Sequence, residues 1–242
     1  MRDYLLNAAV RLRRTYADLP FDAEVNKETA EKVNARALEA LEGAEDTYAY
    51  FMLNDLPGEK KRVLWQNRLL CEDVTDAVAS RVYMRLDQRV CVQTSGSDHL
   101  AVAAYSDQGD ILSCLSLCQR AEEPLYNDGN IAKDARFGYL TARPCDAGTG
   151  MRASMLLHLP MTSLVKQMPN AMKVSAANGM ILRGAESGPA GHQAGLYLLE
   201  NRITLGMEEN EIVQKMRDTA QKLMELEDKL RQKAKDQKDE RV

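Results

Sequence analysis

A glycine turn followed by an arginine is the part of this sequence that most directly indicates chemistry. Gly148-Thr149-Gly150 precedes Arg152, which stands at the start of an apolar run. Glycines let the backbone approach a ligand, and the N–H groups of such a turn can cradle phosphate oxygens. The planar guanidinium of an arginine donates two hydrogen bonds to a phosphate. The pattern predicts an anion site, and the alternative is a tight turn before a strand.

Other arginines are candidates for the same anion site. Arg11, Arg13 and Arg14 form a basic cluster near the N-terminus. Arg183 ends an apolar strand and precedes a glycine-rich segment, a place where an arginine often faces a ligand. For Arg183 the alternative is a surface ion pair.

The histidines and cysteines do not predict a metal site. His99 follows Asp98, but no Cys, Glu or second His stands at a ligand spacing from it. His158 lies in an apolar run, as a core histidine would, and we expect His192 in a surface loop. The five cysteines are irregularly spaced, which also argues against a disulfide framework.

The elements that must position these groups alternate between helical and strand patterns. Apolar residues at helical spacing predict helices over 25–43, 58–70, 108–125, 161–172 and 208–235. Apolar alternation predicts two or three strands over 81–106 and single strands over 136–141, 151–159, 174–182 and 196–200. Glycine and proline predict loops over 144–150 and 185–195. Strands interleaved with helices favour an α+β or α/β architecture, with a mixed sheet covered on one face.

Composition limits the class of protein. The chain has 242 residues, with 32 Lys and Arg against 36 Asp and Glu and a net charge of −4. This length sustains one or two domains with a sizeable core. The acidic balance argues against a nucleic-acid partner. No apolar run is long enough for a membrane helix and no leader core is seen, so we expect a cytoplasmic protein without membrane contact.

Four strings in the sequence match the motifs of one enzyme family. Residues 137–160 read FGYLTARPCDAGTGMRASMLLHLP, close to C-P-(S/T)-N-x-G-T-G-x-R-A-S with its MLHLP-like strand. Residues 7–15 (NAAVRLRRT) and 94–101 (TSGSDHLA) match SSRxRxxRN and NEEDHLR, and residues 183–206 match RG-x-x-GEG followed by TLG. Over Val10 to Leu226 the chain resembles the ATP:guanido phosphotransferases, most of all their bacterial protein-arginine kinase branch.

The resemblance implies a fold and a domain organisation. It implies an α+β catalytic domain over 1–227, with a large, mainly antiparallel sheet flanked by helices as in guanido kinases and glutamine synthetase. A charged helical tail over 228–242 is expected to follow. The arginine-kinase branch continues into a C-terminal helical domain, which we expect to be absent because the sequence stops at Val242.

The resemblance also implies an activity and its site residues. Members of the family transfer a phosphoryl group from ATP, with Mg, to a guanidinium, which is that of arginine in this branch. By position, Arg11, Arg152 and Arg183 match arginines that surround the ATP phosphates. Together with the turn over 148–150, they form the nucleotide site that the resemblance predicts.

The sequence departs from the family pattern where a guanidinium substrate would bind. Gly96 and Ser97 stand at the places of the glutamate pair that positions the guanidinium and supplies the base. Neither residue takes up a proton at pH 7, and the loss of a positioned base costs about 10²–10⁴ in rate. Arg143 stands at the place of the reactive cysteine, where its cation would repel a guanidinium, and Gly188 at that of the GEG glutamate.

Two arginines of the nucleotide site are also replaced. Ala9 stands at the place of the first arginine of SSRxR, and Ala101 at that of the arginine after Asp-His-Leu. A charge-assisted hydrogen bond contributes roughly 1.5–3 kcal/mol. The two losses therefore predict nucleotide binding that is weaker by about 10²–10⁴.

Three functions remain open from the sequence. The preferred one is a pseudokinase with a weakened nucleotide or anion site, which acts by binding a partner such as an active arginine kinase or a protein quality-control component. The second is an active arginine kinase in which Asp98, Glu186 or Asp146 supplies the base. The third is a structural interaction module that uses the 208–235 helix. We prefer the first because the departures cluster at ligand-binding positions while the core segments follow the pattern.

Overall fold

An antiparallel sheet organises the chain. The computed structural model describes residues 4–21, 26–71, 79–126, 130–185 and 195–239, with side chains up to residue 236. Eight strands form the sheet, namely β1 (Leu5–Arg14), β2 (Tyr48–Met52), β3 (Arg81–Arg85), β4 (Val90–Thr94), β5 (Leu100–Ser106), β8 (Met151–His158), β9 (Met180–Gly184) and β10 (Leu196–Asn201). Their order is β2-β3-β4-β5-β1-β8-β10-β9, and all neighbours are antiparallel. A small separate ribbon pairs β6 (Lys133–Asp134) with β7 (Gly138–Tyr139).

Six α-helices are described with this sheet. They are α1 (Lys27–Glu42), α2 (Gly58–Gln66), α3 (Ile111–Glu122), α4 (Pro160–Leu164), α5 (Met168–Ala177) and α6 (Glu209–Asp239). Side chains fix two of the helix starts, because Asn26 accepts the N–H groups of Glu28 and Thr29, and Asp110 accepts that of Ser113. Short 3₁₀ turns cover Leu53–Asp55, Glu123–Tyr126 and Pro144–Asp146. The α+β class with a mainly antiparallel sheet is confirmed.

The central strand β1 separates two different faces. Ala8, Val10 and Leu12 are fully buried in the main core, together with residues of α1, α3 and α6. Successive side chains of a strand alternate between faces, so Arg11 and Arg13 lie on the opposite face. The sequence therefore places an apolar stripe and a basic stripe on the same strand.

The face that carries Arg11 is covered over β4 and β5 but not over the whole sheet. A second cluster packs Leu69 and Leu70 against Cys91, Ala101 and Ala103. Further along the sheet, Arg183 on β9 is exposed. The expectation of a sheet covered on one face only is therefore corrected, because the segment after α2 covers part of the second face.

Several predicted elements differ from the structure in a way that local chemistry explains. Residues 174–177 belong to α5 and not to a strand, and β9 begins only at Met180. The helix predicted over 161–172 is divided at Lys166, which has a positive φ of 59°, and Pro169 lies in the first turn of α5. No strand is predicted from the sequence over β1 or β2. The helix predicted over 58–70 ends at Gln66.

No helix among the described ranges is long and apolar enough to cross a membrane. The same part of the chain contains no cluster of three or more His, Cys, Asp or Glu that could hold a metal ion.

Candidate functional site

Arg11 and Arg152 are brought together by the pairing of β1 with β8. They are register partners in this antiparallel pair, and directly opposite residues have Cβ atoms about 4.5–5.5 Å apart. Arg183 pairs with Leu198 and therefore lies two strands away, beyond β10. We call the face with Arg11, Arg13, Arg152 and Arg183 the arginine face.

Asp146 compensates the charge of Arg152. Arg152 Nε donates to Asp146 Oδ1 at 2.6 Å, and its Nη2 lies 2.5 Å from the same oxygen. Asp146 is 2% exposed and sits in the 3₁₀ turn before the glycine turn. The matching family segment has asparagine at this place, so the carboxylate is a feature of this chain.

Asp98 is held by Arg13, an arginine to which the motif comparison assigns no role. Arg13 Nη1 donates to Asp98 Oδ2 at 2.9 Å and to Ser97 Oγ at 3.0 Å. Asp98 Oδ1 also accepts the Ala142 N–H at 2.8 Å and the Thr15 hydroxyl at 3.3 Å. Both oxygens of Asp98 are therefore occupied by hydrogen bonds inside the protein.

Gly96 and Ser97 lie in the turn between β4 and β5, where they line a small cavity with Arg13 and Asp98. This cavity leaves no space for a water molecule. Asp98 is the only carboxylate that lines it within the described residues. The structure thus places the two replaced glutamate positions beside an arginine side chain, and Asp98, the described carboxylate there, is bound to that arginine.

Arg11 has a different environment from the other arginines of this face. Its Nη1 donates to the Leu70 carbonyl at 3.0 Å, while its buried Nε has no hydrogen-bond partner. Within the described residues, no carboxylate lies within 4 Å of Arg11. It is the nucleotide-site candidate whose positive charge is not compensated by a described carboxylate.

Arg183 forms an ion pair with Glu200 on β10. The distance from Arg183 Nε to Glu200 Oε2 is 2.6 Å, and the arginine side chain is 44% exposed. This is the surface ion pair that was the alternative for Arg183. Its role toward a nucleotide stays a prediction.

Backbone hydrogen bonds of the glycine turn connect β1, the small β6–β7 ribbon and the segment after β10. Gly148 and Thr149 donate their N–H groups to the carbonyls of Tyr139 and Thr204, at 3.1 and 2.9 Å. The carbonyl of Gly150 accepts the Arg13 N–H at 2.9 Å. The N–H groups of Gly148 and Thr149 are therefore used within the fold, as in a tight turn before a strand, and the nucleotide role of the turn over 148–150 stays a prediction.

The remaining candidates fall either in the turn before β8 or outside the described residues. Arg143 is exposed at the start of the 3₁₀ turn, and exposed Cys145 places Sγ 3.7 Å from Arg152 Nη2. Gly188, Glu186 and His192 lie outside the described residues. Their predicted roles are not tested.

The histidine beside Asp98 is structural. His99 is fully buried, its Nδ1 accepts the Tyr16 N–H at 3.0 Å, and its Nε2 donates to the Pro20 carbonyl at 2.7 Å. Both ring nitrogens are thus used within the fold. His158 is only half-buried, so its predicted place in the core is corrected.

Arg14 is a second buried arginine, and it stands at the place of the last arginine in the string SSRxRxxRN. It is fully buried and lies 3.0 Å from Glu122 and 2.9 Å from Glu209, with its guanidinium 3.7 Å from the centre of the Tyr139 ring. Burial alone would lower the pKa of Arg14, but the attraction of Glu122, Tyr126 and Glu209 raises it overall. Arg14 is therefore a charged link between β1, α3 and α6.

The antiparallel sheet with its central, arginine-bearing strand defines a guanido kinase catalytic fold. The model of the ATP:guanido phosphotransferase C-terminal catalytic domain matches residues 29–230. The chain belongs to this family, as its motifs predicted.

Curated relatives are similar to this chain over most of its length. The protein-arginine kinase of Pelotomaculum thermopropionicum is 28% identical over 232 residues, which are 92% of this chain and 64% of that protein. The protein-arginine kinase of Caldanaerobacter subterraneus is 24% identical over 236 residues, 96% of this chain and 70% of that protein. The chain thus spans about two thirds of the length of these relatives.

Solved structures share the fold. A lombricine kinase superposes with a TM-score of 0.80 at 21% identity, over 96% of this chain and 68% of its own. The duplicated taurocyamine kinase from Schistosoma mansoni, with bound transition state analogue components, gives 0.78 at 23% identity over 93% of this chain and 33% of its own.

Proposed function

We propose that this chain is a catalytically degenerate member of its family, a pseudokinase that keeps the fold and acts by binding a partner protein. One observation carries the proposal. Asp98 and Asp146, the described carboxylates at the guanidinium site, are both bound to arginines of the chain itself. Gly96 and Ser97 supply no replacement for the glutamate pair.

A catalytic base must have a lone pair directed at the substrate proton. Asp98 uses both oxygens in hydrogen bonds to Arg13, Thr15 and Ala142. Asp146 would have to release Arg152 before it could accept a proton. The site therefore favours ion pairs within the protein over proton transfer from a guanidinium.

A weakened site for ATP with Mg is part of the proposal. Arg11 fits a phosphate, because its charge has no described carboxylate partner and its buried Nε has no acceptor. Arg152 fits less well, since Asp146 already neutralises it. Calorimetric titration with Mg-ATP is expected to show no saturation below millimolar nucleotide, and micromolar binding would contradict this part of the proposal.

A phosphotransfer assay tests the proposal as a whole. The full chain is incubated with Mg-ATP and either free L-arginine or an arginine-rich protein, beside an active protein-arginine kinase. No phosphoarginine is expected above background from this chain. Transfer that persists after repeated purification and disappears on Asp98→Asn would instead support the active-kinase alternative.

The partner that we propose is an active protein-arginine kinase or a component of protein quality control, because the curated relatives are protein-arginine kinases. Sedimentation of a mixture with such a kinase, and the rate of that kinase with and without this chain, test the proposal. An unchanged sedimentation profile and an unchanged rate would contradict an active kinase as the partner.

A second candidate is a structural module that makes its contact through α6. The described side chains from Gln232 to Asp236 are exposed. Truncation after Arg231 removes this surface, and loss of self-association or partner binding in that variant would favour the second candidate.

A further inference from the structure

Arg13 fills the space beside Gly96 and Ser97 with a guanidinium group of the chain itself. Its Nη1 lies 2.9 Å from Asp98 Oδ2 and 3.0 Å from Ser97 Oγ, and its Nε lies 3.5 Å from Asp146 Oδ2. The side chain is only 4% exposed. A guanidinium surrounded by two carboxylates and a hydroxyl has the contacts that a bound guanidino ligand would need.

The position of Arg13 on β1 directs it into this space. Arg11 and Arg13 are two residues apart on one strand, so their side chains share a face. Arg13 pairs with Ala101 on β5, just beyond the turn that carries Ser97 and Asp98. The family string SSRxRxxRN leaves the place of Arg13 unspecified, so the motif assigns this arginine no role.

The space has no room for a second cation. The cavity lined by Arg13, Gly96, Ser97 and Asp98 does not accommodate even a water molecule. Among the described residues, Asp98 is paired with Arg13 and Asp146 with Arg152. Without Arg13, the buried carboxylate of Asp98 would lose the cation with which it is paired.

We infer that the guanidinium of Arg13 is a built-in occupant of the space that a guanidino substrate would use, and that it closes this space to arginine and related cations. The inference rests on the proposed function, because a chain that turned over such substrates would need the same space. It adds to the missing glutamates a second, independent reason for the lack of turnover. It also predicts that the substitution Arg13→Ala opens a binding site for a cation.

The occupancy of this space by Arg13 is tested by asking whether methylguanidinium restores the thermal stability of a chain that lacks the Arg13 side chain. In the full-length wild-type chain, millimolar methylguanidinium chloride is expected to change the melting temperature no more than sodium chloride does. Arg13→Ala is expected to melt at a lower temperature, and methylguanidinium should restore part of the loss. Calorimetry should show at least about tenfold tighter methylguanidinium binding to Arg13→Ala than to the wild type.

Arg85→Ala is the matched control. Arg85 also contacts two carboxylates, Asp46 and Asp87, but on β3, away from the arginine face. Asp87 is 43% exposed, so water replaces the lost arginine there. Equal rescue of both variants, or no rescue of a folded Arg13→Ala chain, would overturn the inference.

Two further variants keep the test decisive. If Arg13→Ala does not fold, Arg13→Ser, which removes the guanidinium, keeps a small hydroxyl and leaves Asp98 and Asp146 in place, is titrated instead. Ser97→Glu is expected to raise methylguanidinium affinity about tenfold in the Arg13→Ala chain and to leave the wild-type chain without binding. If Ser97→Glu alone, with Arg13 present, gains affinity for methylguanidinium, the inference is overturned.

The two proposals can fail separately. Phosphotransfer by the wild-type chain would overturn both the proposed function and the occupancy of the space by Arg13. Absence of rescue in a chain that also lacks phosphotransfer would overturn the occupancy alone.

Discussion

Arg152 Nε donates a 2.6 Å hydrogen bond to Asp146 Oδ1, a carboxylate six residues earlier in the chain. The matching family segment has a neutral asparagine at this place and uses the arginine for phosphate. The aspartate at position 146 therefore neutralises the charge of Arg152, although Arg152 itself matches the family motif. A motif match at Arg152 records the residue type but not whether its charge is available.

Asp146→Asn is expected to make Arg152 available to anions. Since one charge-assisted hydrogen bond contributes roughly 1.5–3 kcal/mol, the affinity for Mg-ATP or inorganic tripolyphosphate should rise by about tenfold or more. Calorimetry measures the change. Asp87→Asn removes a carboxylate from Arg85 on β3, away from the arginine face, and should leave anion affinity unchanged; equal gains in both variants would contradict a local effect of Asp146.

Gly148→Ala is expected to destabilise the fold more than Gly206→Ala. Both glycines have positive φ, +108° and +76°, but a Cβ on Gly148 would lie 2.3 Å from the Thr204 carbonyl oxygen while Gly206 faces open space. The backbone conformation costs an alanine about 1–2 kcal/mol, and overpacking adds roughly 1–3 kcal/mol. Urea denaturation of both variants measures the difference, which should be close to zero if the turn can shift.

Glu227 connects α6 to the start of α4. Its carboxylate accepts the N–H groups of Met161 and Thr162 and the hydroxyl of Thr162, each at 2.8 Å, and it is fully buried. Glu227→Ala leaves these donors without a partner, and since one unsatisfied buried donor costs about 1–3 kcal/mol, a loss of at least about 3 kcal/mol in the free energy of unfolding is expected.

Truncation after Arg231 provides the comparison for Glu227→Ala. It removes exposed side chains and should change stability by less than about 0.5 kcal/mol. Arg231 itself lies over the ring of Tyr4 at 4.7 Å, so α6 remains packed beyond the predicted boundary at residue 227. Equal stability of Glu227→Ala and the truncated chain would contradict the role of Glu227 at α4.

Thiol labelling should detect one reactive cysteine in the native protein. Cys145 is exposed, whereas Cys71, Cys91, Cys114 and Cys118 are buried. A disulfide reagent at pH 8 is expected to modify one thiol quickly and the other four only after denaturation. Cys145→Ser should abolish the fast reaction; a fast reaction that persists in this variant would show that a buried cysteine becomes accessible.

Burial of the thiols also predicts a decrease in stability at alkaline pH. Burial raises the pKa of the Cys114 thiol from 9.0 to about 12. The unfolded chain therefore ionises first, so the contribution of this thiol to stability is complete below pH 9 and declines as the pH rises toward 12. Denaturation between pH 8 and 10.5 should show a shallower decline in Cys114→Ala than in the wild type.

The motif strings predicted the fold well because they cover the segments that build the centre of the sheet. Residues 137–160 supply the turn and β8, and the string over 7–15 supplies most of β1. Secondary-structure patterns alone did not find β1, since three arginines obscure its apolar alternation. They also failed at residues 174–177, where a run of small and apolar residues suits a helix as well as a strand.

The candidate site was predicted only in part. The neighbouring positions of Arg11 and Arg152 follow from the family motifs, but the partners of these arginines do not. Arg13 binds Asp98 across 85 positions of the sequence, and local patterns carry no information about such a pair. A strand prediction over β1 would have placed the side chain of Arg13 on the same face of the sheet as that of Arg11, because the two residues are two positions apart.

The central position of β1 has a consequence for the order in which the chain acquires its structure. This strand precedes both of its neighbours in the sequence, yet Arg11 must pair with Ala103 on one side and Arg152 on the other. Loop closure must come before these contacts stabilise the chain, so long-range pairing slows folding. During synthesis, the apolar stripe and both edges of β1 therefore stay unpaired until β5 and then β8 have been made, and unpaired edges of this kind favour aggregation.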